Sequence, residues 1–535
     1  MKKSNIRKLF QKDSINSVSV FSLLSGFFSV GIVLYYIFCI SRGYYHADCT
    51  DTITWAEATL DSGSLMNQEF YYACLLPFGG QLLMVPFVAI FGFGMKAQLL
   101  GMALFAVLFA LALVYLCRAM NFSYKWCSVA VSILFIILSA SDKLREIFWC
   151  HIIYYSLGLL FLMVGLALVI NILKNETAKK RHYILFFIWT VLCSMNGVQA
   201  LTIYCLPVLA AVVAESFFDL KTPLLHKNNL KKYIIVFSML VAIVMGIIFA
   251  QYVNGDIIAG YEMGYSGFSD KSRWMDNFLS ILPQLFTLFG VTTTTETLIY
   301  SPDGIIALLK IICVFVLLIV PVIMMFMYRK FEELSYRLMI LVHAFLSTLL
   351  MMAWIFGTLN TACWRLSPML ATATILCVMF VRWLYKNKQL ARLMAIIIVP
   401  VSIVMIIISL EIYTKDVEGQ TEENRRLESL CEFLEENELE YGYATFWDAN
   451  SITLLSDSKV KVRCIRIDAG IISPRLYQTN INWYKDNSYD SYFLLLTPQE
   501  YLQYISSNDY ERPKKLLEYE KSYILVYDYN IVEIK

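Results

Sequence analysis

Charged residues are scarce in this chain. Asp, Glu, Lys and Arg together make up only 16% of its 535 residues, whereas hydrophobic residues make up 58%. A soluble domain has no use for so much apolar surface, so the composition indicates a polytopic membrane protein. The formal net charge is only +2, and so small an excess gives no reason to expect a nucleic-acid partner.

Several motifs of soluble enzymes are missing as well. The sequence has no P-loop, no GxGxxG after a predicted strand and no HExxH, so ATPase, dinucleotide-binding and zincin functions lack support. None of the thirteen cysteines forms a CxxC pair, so no thiolate metal site is indicated. Cys431 and Cys464 lie in the polar C-terminal part, where a disulfide between them is an open alternative.

The sequence contains instead a series of apolar stretches of about 20 residues, the length that crosses a bilayer as a helix. The fifth and sixth of them are short and share the turn Met195-Asn196-Gly197. We predict eleven spans, near residues 18–40, 97–117, 122–140, 147–173, 183–196, 198–215, 233–252, 304–328, 338–358, 366–385 and 390–413.

The loops between these spans alternate in charge. By the positive-inside rule the basic loops and the basic N-terminus are cytoplasmic, and eleven spans leave the C-terminal part outside. We therefore expect a multi-pass plasma-membrane protein whose first span is a retained anchor and not a cleaved signal. The basic loops lie near residues 118–125, 174–181, 221–232, 329–337 and 382–392.

A further apolar segment, residues 74–94, is predicted not to cross the membrane. Two prolines and four glycines interrupt it, and both residue types disfavour a straight helix. If it did cross, every later basic loop would face outward. We interpret it as a re-entrant or interfacial part of the first outer loop, which runs from 41 to 96.

The expected fold is an α-helical membrane domain, residues 1–413, followed by a small extracytoplasmic α/β domain, residues 414–535. After Tyr413 charged residues become frequent and apolar runs shorten. Besides the first loop, the membrane domain has two further outer elements, a second loop at 141–146 and a long loop at 253–303. In the C-terminal domain we predict a helix at 422–436 and strands at 441–446, 460–467, 492–496 and 523–527.

The first outer loop carries two candidate catalytic carboxylates. Asp48 and Asp51 are three residues apart, so they share a face if the segment is helical. A carboxylate near the membrane can act as a general base toward an acceptor hydroxyl. The alternative is that one of them caps the helix beginning near Thr52 while the other is solvated, and capping is the natural role for Asp51. His46 is a candidate substrate contact, although a histidine here is more often packed at the interface.

The second outer loop holds an acidic pair. Asp142 and Glu146 are four residues apart and interleave with Lys143 and Arg145. They are our candidate ligands for a divalent cation, Mg²⁺ or Mn²⁺. The alternative is a salt-bridged helix end, which is the usual meaning of such charge alternation. His151 follows as a candidate substrate-binding residue.

Two basic residues are candidates for binding a phosphate on the outer side. Arg365 lies beside Trp364 at the mouth of a span, where a guanidinium can grip a phosphate through two hydrogen bonds. The alternative is snorkelling of Arg365 to lipid head groups. Lys96 is a weaker candidate of the same kind.

This arrangement of spans and acidic outer loops resembles the GT-C glycosyltransferases, particularly the bacterial protein-mannosyltransferase and aminoarabinose-transferase-like group. Asp48 matches the position of that family's catalytic aspartate. The segment Trp364-Arg365-Leu366-Ser367-Pro368 is similar to its late Arg-Tyr-x-x-Pro element. The chain departs from the family at Asp48-Cys49, where Asp-Glu is common, at Leu76-Pro77, where a polar residue usually precedes the proline, and at Leu366, where the tyrosine is replaced.

The resemblance implies a polyprenyl-phosphate-linked sugar as donor and an extracytoplasmic glycan, lipid or protein as acceptor, within a membrane-lipid environment. It further implies that Asp48 deprotonates the acceptor and that Arg365 stabilises the leaving phosphate. Two other classes stay open. A lipid or solute transporter is expected to carry ionisable residues near mid-membrane and repeated halves. A non-catalytic scaffold would use the C-terminal domain to bind a partner.

Overall fold

Long apolar helices make up most of the computed structural model, which describes residues 17–41, 47–174, 179–218, 229–257, 267–387, 391–414, 416–485 and 487–532. Within these ranges nine helices are long and apolar enough to cross a membrane. They are Val20–Cys39 (α1), Met95–Ala119 (α4), Tyr154–Lys174 (α7), Val198–Phe218 (α9), Leu230–Asn254 (α10), Pro302–Phe326 (α12), Leu334–Phe356 (α13), Cys363–Lys386 (α14, its first turn 3₁₀) and Ala391–Thr414 (α15).

Every stretch that we predicted as a span overlaps a helix, but two of these helices are short. The third predicted span is the 14-residue helix Tyr124–Ile137 (α5), which is bent by 119° from the following helix Asp142–Cys150 (α6). The break occurs where Ser141 is extended and its hydroxyl caps α6 by accepting from Leu144 N. The fifth is the 15-residue helix Lys180–Ser194 (α8). The long outer loop contains the helix Trp274–Leu288 (α11).

One end of the helical bundle gathers basic side chains, as the loop charges predict. The buried guanidinium of Arg382 donates to Asn121 O at 2.8 Å and to Tyr336 Oη at 2.5 Å. Lys174 also donates to Asn121, and Arg337 pairs with Glu215 at 2.8 Å. Because α4 and α7 end here and α5 begins here, Met95 and residues 138–153 lie at the opposite end.

The first loop packs over that opposite end. It contains a 3₁₀ turn Ala47–Thr50, the helix Asp51–Ser62 (α2), the short strand Phe70–Tyr71 (β1) and the helix Gln81–Phe91 (α3). Helix α3 lies within the segment that we predicted not to cross. Its 11 residues rise about 16 Å, half of the roughly 30 Å hydrocarbon core, and it packs between α2 and α4.

Beyond α15 the helix Asp416–Glu436 (α16) leads to a six-stranded sheet. Its strands are Tyr441–Thr445 (β2), Lys461–Asp468 (β3), Ile471–Pro474 (β4), Tyr492–Leu496 (β6), Lys515–Tyr519 (β7) and Ser522–Tyr527 (β8); Thr479–Asn480 (β5) lies outside this sheet. The strand order is β4-β3-β2-β6-β8-β7. Strand β2 runs parallel to both β3 and β6, and the other pairs are antiparallel.

Side chains alternate across this sheet and build a core on each face, as the two-residue period of a strand requires. Phe493 and Leu495 face one cluster with helix residues, whereas Leu494 and Leu496 face a tyrosine-rich cluster on the other side. Besides α16, the domain contains the helices Phe446–Leu455 (α17), which connects β2 to β3, and Pro498–Ile505 (α18). Cys431 and Cys464 are both buried and do not form a disulfide.

The C-terminal domain docks directly on the first loop. Strands β1 and β5 pair antiparallel, with Phe70 opposite Asn480 and Tyr71 opposite Thr479. Nearby, Asp457 Oδ1 accepts from Met95 N at 2.8 Å, and the Ser458 hydroxyl donates to Phe93 O at 3.1 Å. The domain therefore covers the end of the bundle that carries the acidic loops.

Candidate functional site

The site is built on a continuous helical segment from Ala47 to Ser62 in the first loop. The Thr50 hydroxyl donates to Ala47 O at 2.6 Å, which stabilises the 3₁₀ turn that leads into α2. Gly63 ends the helix with φ +64°, the left-handed conformation that glycine adopts without strain. Asp48 and Asp51 lie on consecutive turns of this segment, at the end of the bundle opposite the basic side chains.

Asp51 is buried and faces His151. Its Oδ2 lies 3.7 Å from His151 Nε2, just beyond hydrogen-bond distance, and its side chain is 6% exposed. Asp51 Oδ1 has no hydrogen-bond partner among the described residues. The capping alternative therefore does not describe Asp51, because a capping carboxylate accepts a backbone N–H.

Burial and neighbouring charges together shift the pKa values of Asp51 and His151. Burial raises the pKa of the Asp51 carboxyl to about 6, an effect to which Asp48 adds and which His151 and the amide of Gln478 oppose. Burial alone would lower the pKa of His151, but the contact with Asp51 and the charges of Asp48 and Glu146 raise it. Groups that exchange protons near neutral pH are suited to general acid–base chemistry.

Asp48 is half-buried, so unlike Asp51 it is accessible from the surface of the cluster. Its neighbour Cys49 stands where the resemblance to the GT-C glycosyltransferases led us to expect a second acidic residue. Burial raises the pKa of the Cys49 thiol well above its ordinary value, and nearby Cys150, Glu146 and Asp48 add to the rise. Cys49 is thus a neutral thiol, and it does not replace a second carboxylate.

Helix α4 supports the turn that carries Asp48. Gln98 is fully buried and its amide donates to Cys49 O at 2.9 Å, which fixes the turn that carries Asp48. Lys96 lies two residues earlier, about 200° around the same helix. Its side chain is exposed, with Nζ 4.0 Å from the centre of the Phe91 ring. The structure does not bring Lys96 into the cluster.

The acidic pair of the second loop is engaged by its own basic neighbours. Lys143 Nζ lies 2.6 Å from a carboxylate oxygen of Glu146, and Arg145 donates to Asp142. No group of three or more His, Cys, Asp or Glu side chains able to share a cation occurs in the part of the chain that the structure describes. Because both carboxylates are ion-paired, they do not fit a metal site in this arrangement.

The late arginine lies close to that loop. Arg365 is buried, and its Nη1 donates to Thr358 O at 3.1 Å and to Leu359 O at 3.2 Å. The adjacent Trp364 ring lies 4.5 Å below Lys143 Nζ. The cationic side chains of Lys143 and Arg365 therefore lie at the same end of the helical bundle. His46 lies outside the described residues.

Sequence reasoning missed a buried ion pair beneath the second loop. Lys310 of α12 lies 2.9 Å from Glu411 of α15 and also donates to Gly290 O at 3.3 Å. Gly290 approaches the second loop so closely that an added Cβ would lie 2.8 Å from Ala140 O. The available signal was one lysine and one glutamate of opposite sign in two otherwise apolar spans.

It also missed a contribution from the C-terminal domain. Gln478 is fully buried between the domain and α2, where its Oε1 accepts from Trp55 Nε1 at 2.5 Å. Nothing in the sequence marks Gln478, because the contact joins residues 423 positions apart.

Comparison with known proteins gives a fold. No family model matches the sequence, and no curated protein is significantly similar to it. Among solved structures, ArnT from Cupriavidus metallidurans bound to undecaprenyl phosphate is similar over 97% of this chain and 98% of its own, with 10% identity and a TM-score of 0.51.

Two further structures show weaker likeness. The apo state of the same ArnT aligns over 91% of this chain and 94% of its own, with 12% identity and a TM-score of 0.42. The Archaeoglobus fulgidus oligosaccharyltransferase tethered to an acceptor peptide aligns over 83% of this chain and 63% of its own, with 11% identity and a TM-score of 0.42. On the whole-chain likeness to ArnT, this chain has the fold of the GT-C membrane glycosyltransferases.

Proposed function

We propose that this protein is a membrane glycosyltransferase that moves a sugar from a polyprenyl-phosphate donor to an extracytoplasmic acceptor. The observation that supports it best is the cluster of Asp48, Asp51 and His151, which lies at the end of the bundle opposite the basic residues. The basic end would face the cytoplasm, so the cluster and the C-terminal domain would face outward, in the plasma membrane.

Asp48 is the proposed general base. Its carboxylate would take the proton of the acceptor hydroxyl while the oxygen attacks the anomeric carbon of the donor sugar. The bond from that carbon to the phosphate oxygen breaks, and the polyprenyl phosphate leaves with the electron pair. We assign this role to Asp48 because it is only half-buried, whereas Asp51 lies deeper and faces His151.

Asp51 and His151 would support the base by holding a proton close to it. A proton on either group lowers the repulsion between the neighbouring carboxylates of Asp48 and Asp51, since like charges disfavour one another. A protonated His151 near the two carboxylates compensates part of their charge. The raised pKa values of Asp51 and His151 agree with a shared proton in this cluster.

Arg365 is the proposed partner of the donor phosphate. Backbone carbonyls hold its Nη1, which fixes the plane of the guanidinium before any ligand binds. Lys143, on the Trp364 ring, would add a second positive charge. Cations fixed at the position where charge develops stabilise a leaving phosphate without reorganisation.

The test is transfer of labelled sugar from a panel of polyprenyl-phosphate donors by membranes that contain wild type or Asp48→Asn. A lost general base lowers rates by about 10²- to 10⁴-fold. Asp61→Asn is the matched control, because Asp61 is an exposed carboxylate at the far end of the same helix. We expect Asp61→Asn to match wild type. Equal transfer by wild type and Asp48→Asn would remove Asp48 from the mechanism.

A further inference from the structure

Gln478 lies where the C-terminal domain docks on the first loop, and its backbone conformation is unusual. Its backbone has φ +54°, a conformation that side chains other than Gly, Asn and Asp seldom adopt. Its N–H donates to Tyr71 O at 2.7 Å, and its carbonyl accepts from Asn450 Nδ2 at 3.4 Å. Contacts on both sides thus fix its backbone at the end of the β1–β5 ladder.

The orientation of its amide follows from the partner that it meets. The indole nitrogen of Trp55 is a donor only, so the amide atom 2.5 Å from it must be oxygen. The NH₂ group therefore points the other way, toward Asp51, whose pKa it lowers.

The Gln478 amide and the Asp51 carboxylate are complementary as hydrogen-bond donor and acceptor. Gln478 Nε2 is a buried donor and Asp51 Oδ1 a buried acceptor, and neither has a hydrogen-bond partner within 3.5 Å among the described residues. A buried polar group without a partner is costly. A small inward movement of the C-terminal domain or of α2 would close the contact and satisfy both groups at once.

We propose that Gln478 is a positioning residue through which the C-terminal domain completes the active site, by holding Asp51 in place beside His151. This inference rests on the proposed function, since the reaction that it supports is the one assigned to this cluster. It gives the C-terminal domain a role in the chemistry that a partner-binding domain would not have.

The decisive variant is Gln478→Glu in the full-length protein. Glutamate keeps the oxygen that Trp55 needs but replaces the donor facing Asp51 with a negative charge. The titratable groups that face Asp51 and His151 are Asp48, Glu146 and Tyr154, and all are unchanged in the variant. The added charge should raise the pKa of His151 and slow transfer about tenfold or more, the usual effect of losing a hydrogen bond to a charged group.

Two measurements separate this inference from the proposed function. One is sugar transfer. The other is the pH midpoint of the His151 side chain, followed by NMR of protein labelled with ¹³C-histidine, which needs no donor lipid. Gln478→Asn is the second variant, because asparagine tolerates positive φ but is one carbon too short to reach both partners. Asn482→Ala is the control, since it breaks an exposed contact with Glu69 across the same junction.

We expect Gln478→Glu to raise the His151 midpoint and to lower transfer, Gln478→Asn to lower transfer, and Asn482→Ala to match wild type in both measurements. An unchanged midpoint in Gln478→Glu, or an equal loss of transfer in Asn482→Ala, would overturn the assignment. If wild type transfers no sugar, the proposed function fails, and the midpoint still decides whether Gln478 is coupled to His151.

Discussion

Replacing Asp51 by asparagine should make the protein more stable at neutral pH while making it less active. The folded-state pKa of Asp51 is about 6 against an ordinary value of 3.8, so the folded protein holds this proton more tightly than the unfolded chain does. Stability is therefore lost as the pH rises from about 4 to about 6, and the loss is complete above that range.

The magnitude follows from the shift. A rise of about two pKa units, at about 1.4 kcal/mol each, corresponds to about 3 kcal/mol of destabilisation at pH 7.5. Asp51→Asn removes this cost because a neutral amide does not ionise. One kcal/mol moves Tm by roughly 2–4 °C in domains of 150–250 residues, so about 3 kcal/mol corresponds to about 6–12 °C in a domain of that size and to a smaller rise in this longer chain.

Thermal unfolding of the detergent-solubilised proteins, followed by tryptophan fluorescence at several pH values, measures the difference between variant and wild type. The reasoning predicts a gap that is largest at pH 7.5, narrower at pH 4.5 and absent below about pH 4. Asp509→Asn serves as the control, because Asp509 is an exposed carboxylate of the C-terminal domain. A variant less stable than wild type at pH 7.5, or a gap that does not change with pH, would refute the account of Asp51.

Three further outcomes are expected. Transfer should rise with pH through about 6, as Asp51 loses its proton and the shared proton stays on His151, and a rate that falls over that range would contradict a base role for the cluster. Gly80→Ala should lower both transfer and Tm, because its Cβ would lie 2.2 Å from Ile152 O, beside His151. Overpacking of this kind costs about 1–3 kcal/mol. Gly31→Ala is the control and should change neither quantity, because its Cβ would meet open space. Arg382→Ala should lower Tm, because it removes the hydrogen bonds from a buried guanidinium to Asn121 and Tyr336. Each such hydrogen bond is worth about 1.5–3 kcal/mol. An unchanged Tm would contradict the structural role of Arg382.

The membrane helices were largely predictable because their signal is local. A run of apolar residues is sufficient to indicate a helix in the bilayer, and the charge of the loops separated the two ends of the bundle. The third span was predicted too long, because the break at Ser141 depends on a side-chain cap and on the contact of its hydroxyl with Leu288 O. A contact of the latter kind joins distant residues and leaves no periodic pattern in the sequence.

The C-terminal sheet shows the same limit. The predicted strands at 441–446, 460–467, 492–496 and 523–527 match β2, β3, β6 and β8, which carry apolar runs or alternation. The strands that were missed, Ile471–Pro474 and Lys515–Tyr519, contain only exposed and half-buried residues. They lie at the two edges of the sheet, where burial does not impose an apolar pattern.

For the site, residue type and position within a loop identified some residues but not their neighbours. Asp48, Asp51 and His151 were predicted, and the structure brings them together. Lys96 was predicted as well, but it points away because its helical position is opposite to that of Gln98. Gln478, Lys310 and Glu411 escaped notice because their importance comes from tertiary contacts that no local rule describes.

The central claim is that this cluster removes a sugar from a polyprenyl phosphate. The most direct measurement is release of free polyprenyl phosphate, followed by mass spectrometry, from purified protein reconstituted with sugar-loaded donor lipids and an acceptor. The account predicts release by wild type that requires acceptor and is nearly lost in Asp48→Asn. Donor lipids that stay intact with wild type across the panel, or equal release by wild type and Asp48→Asn, would contradict it.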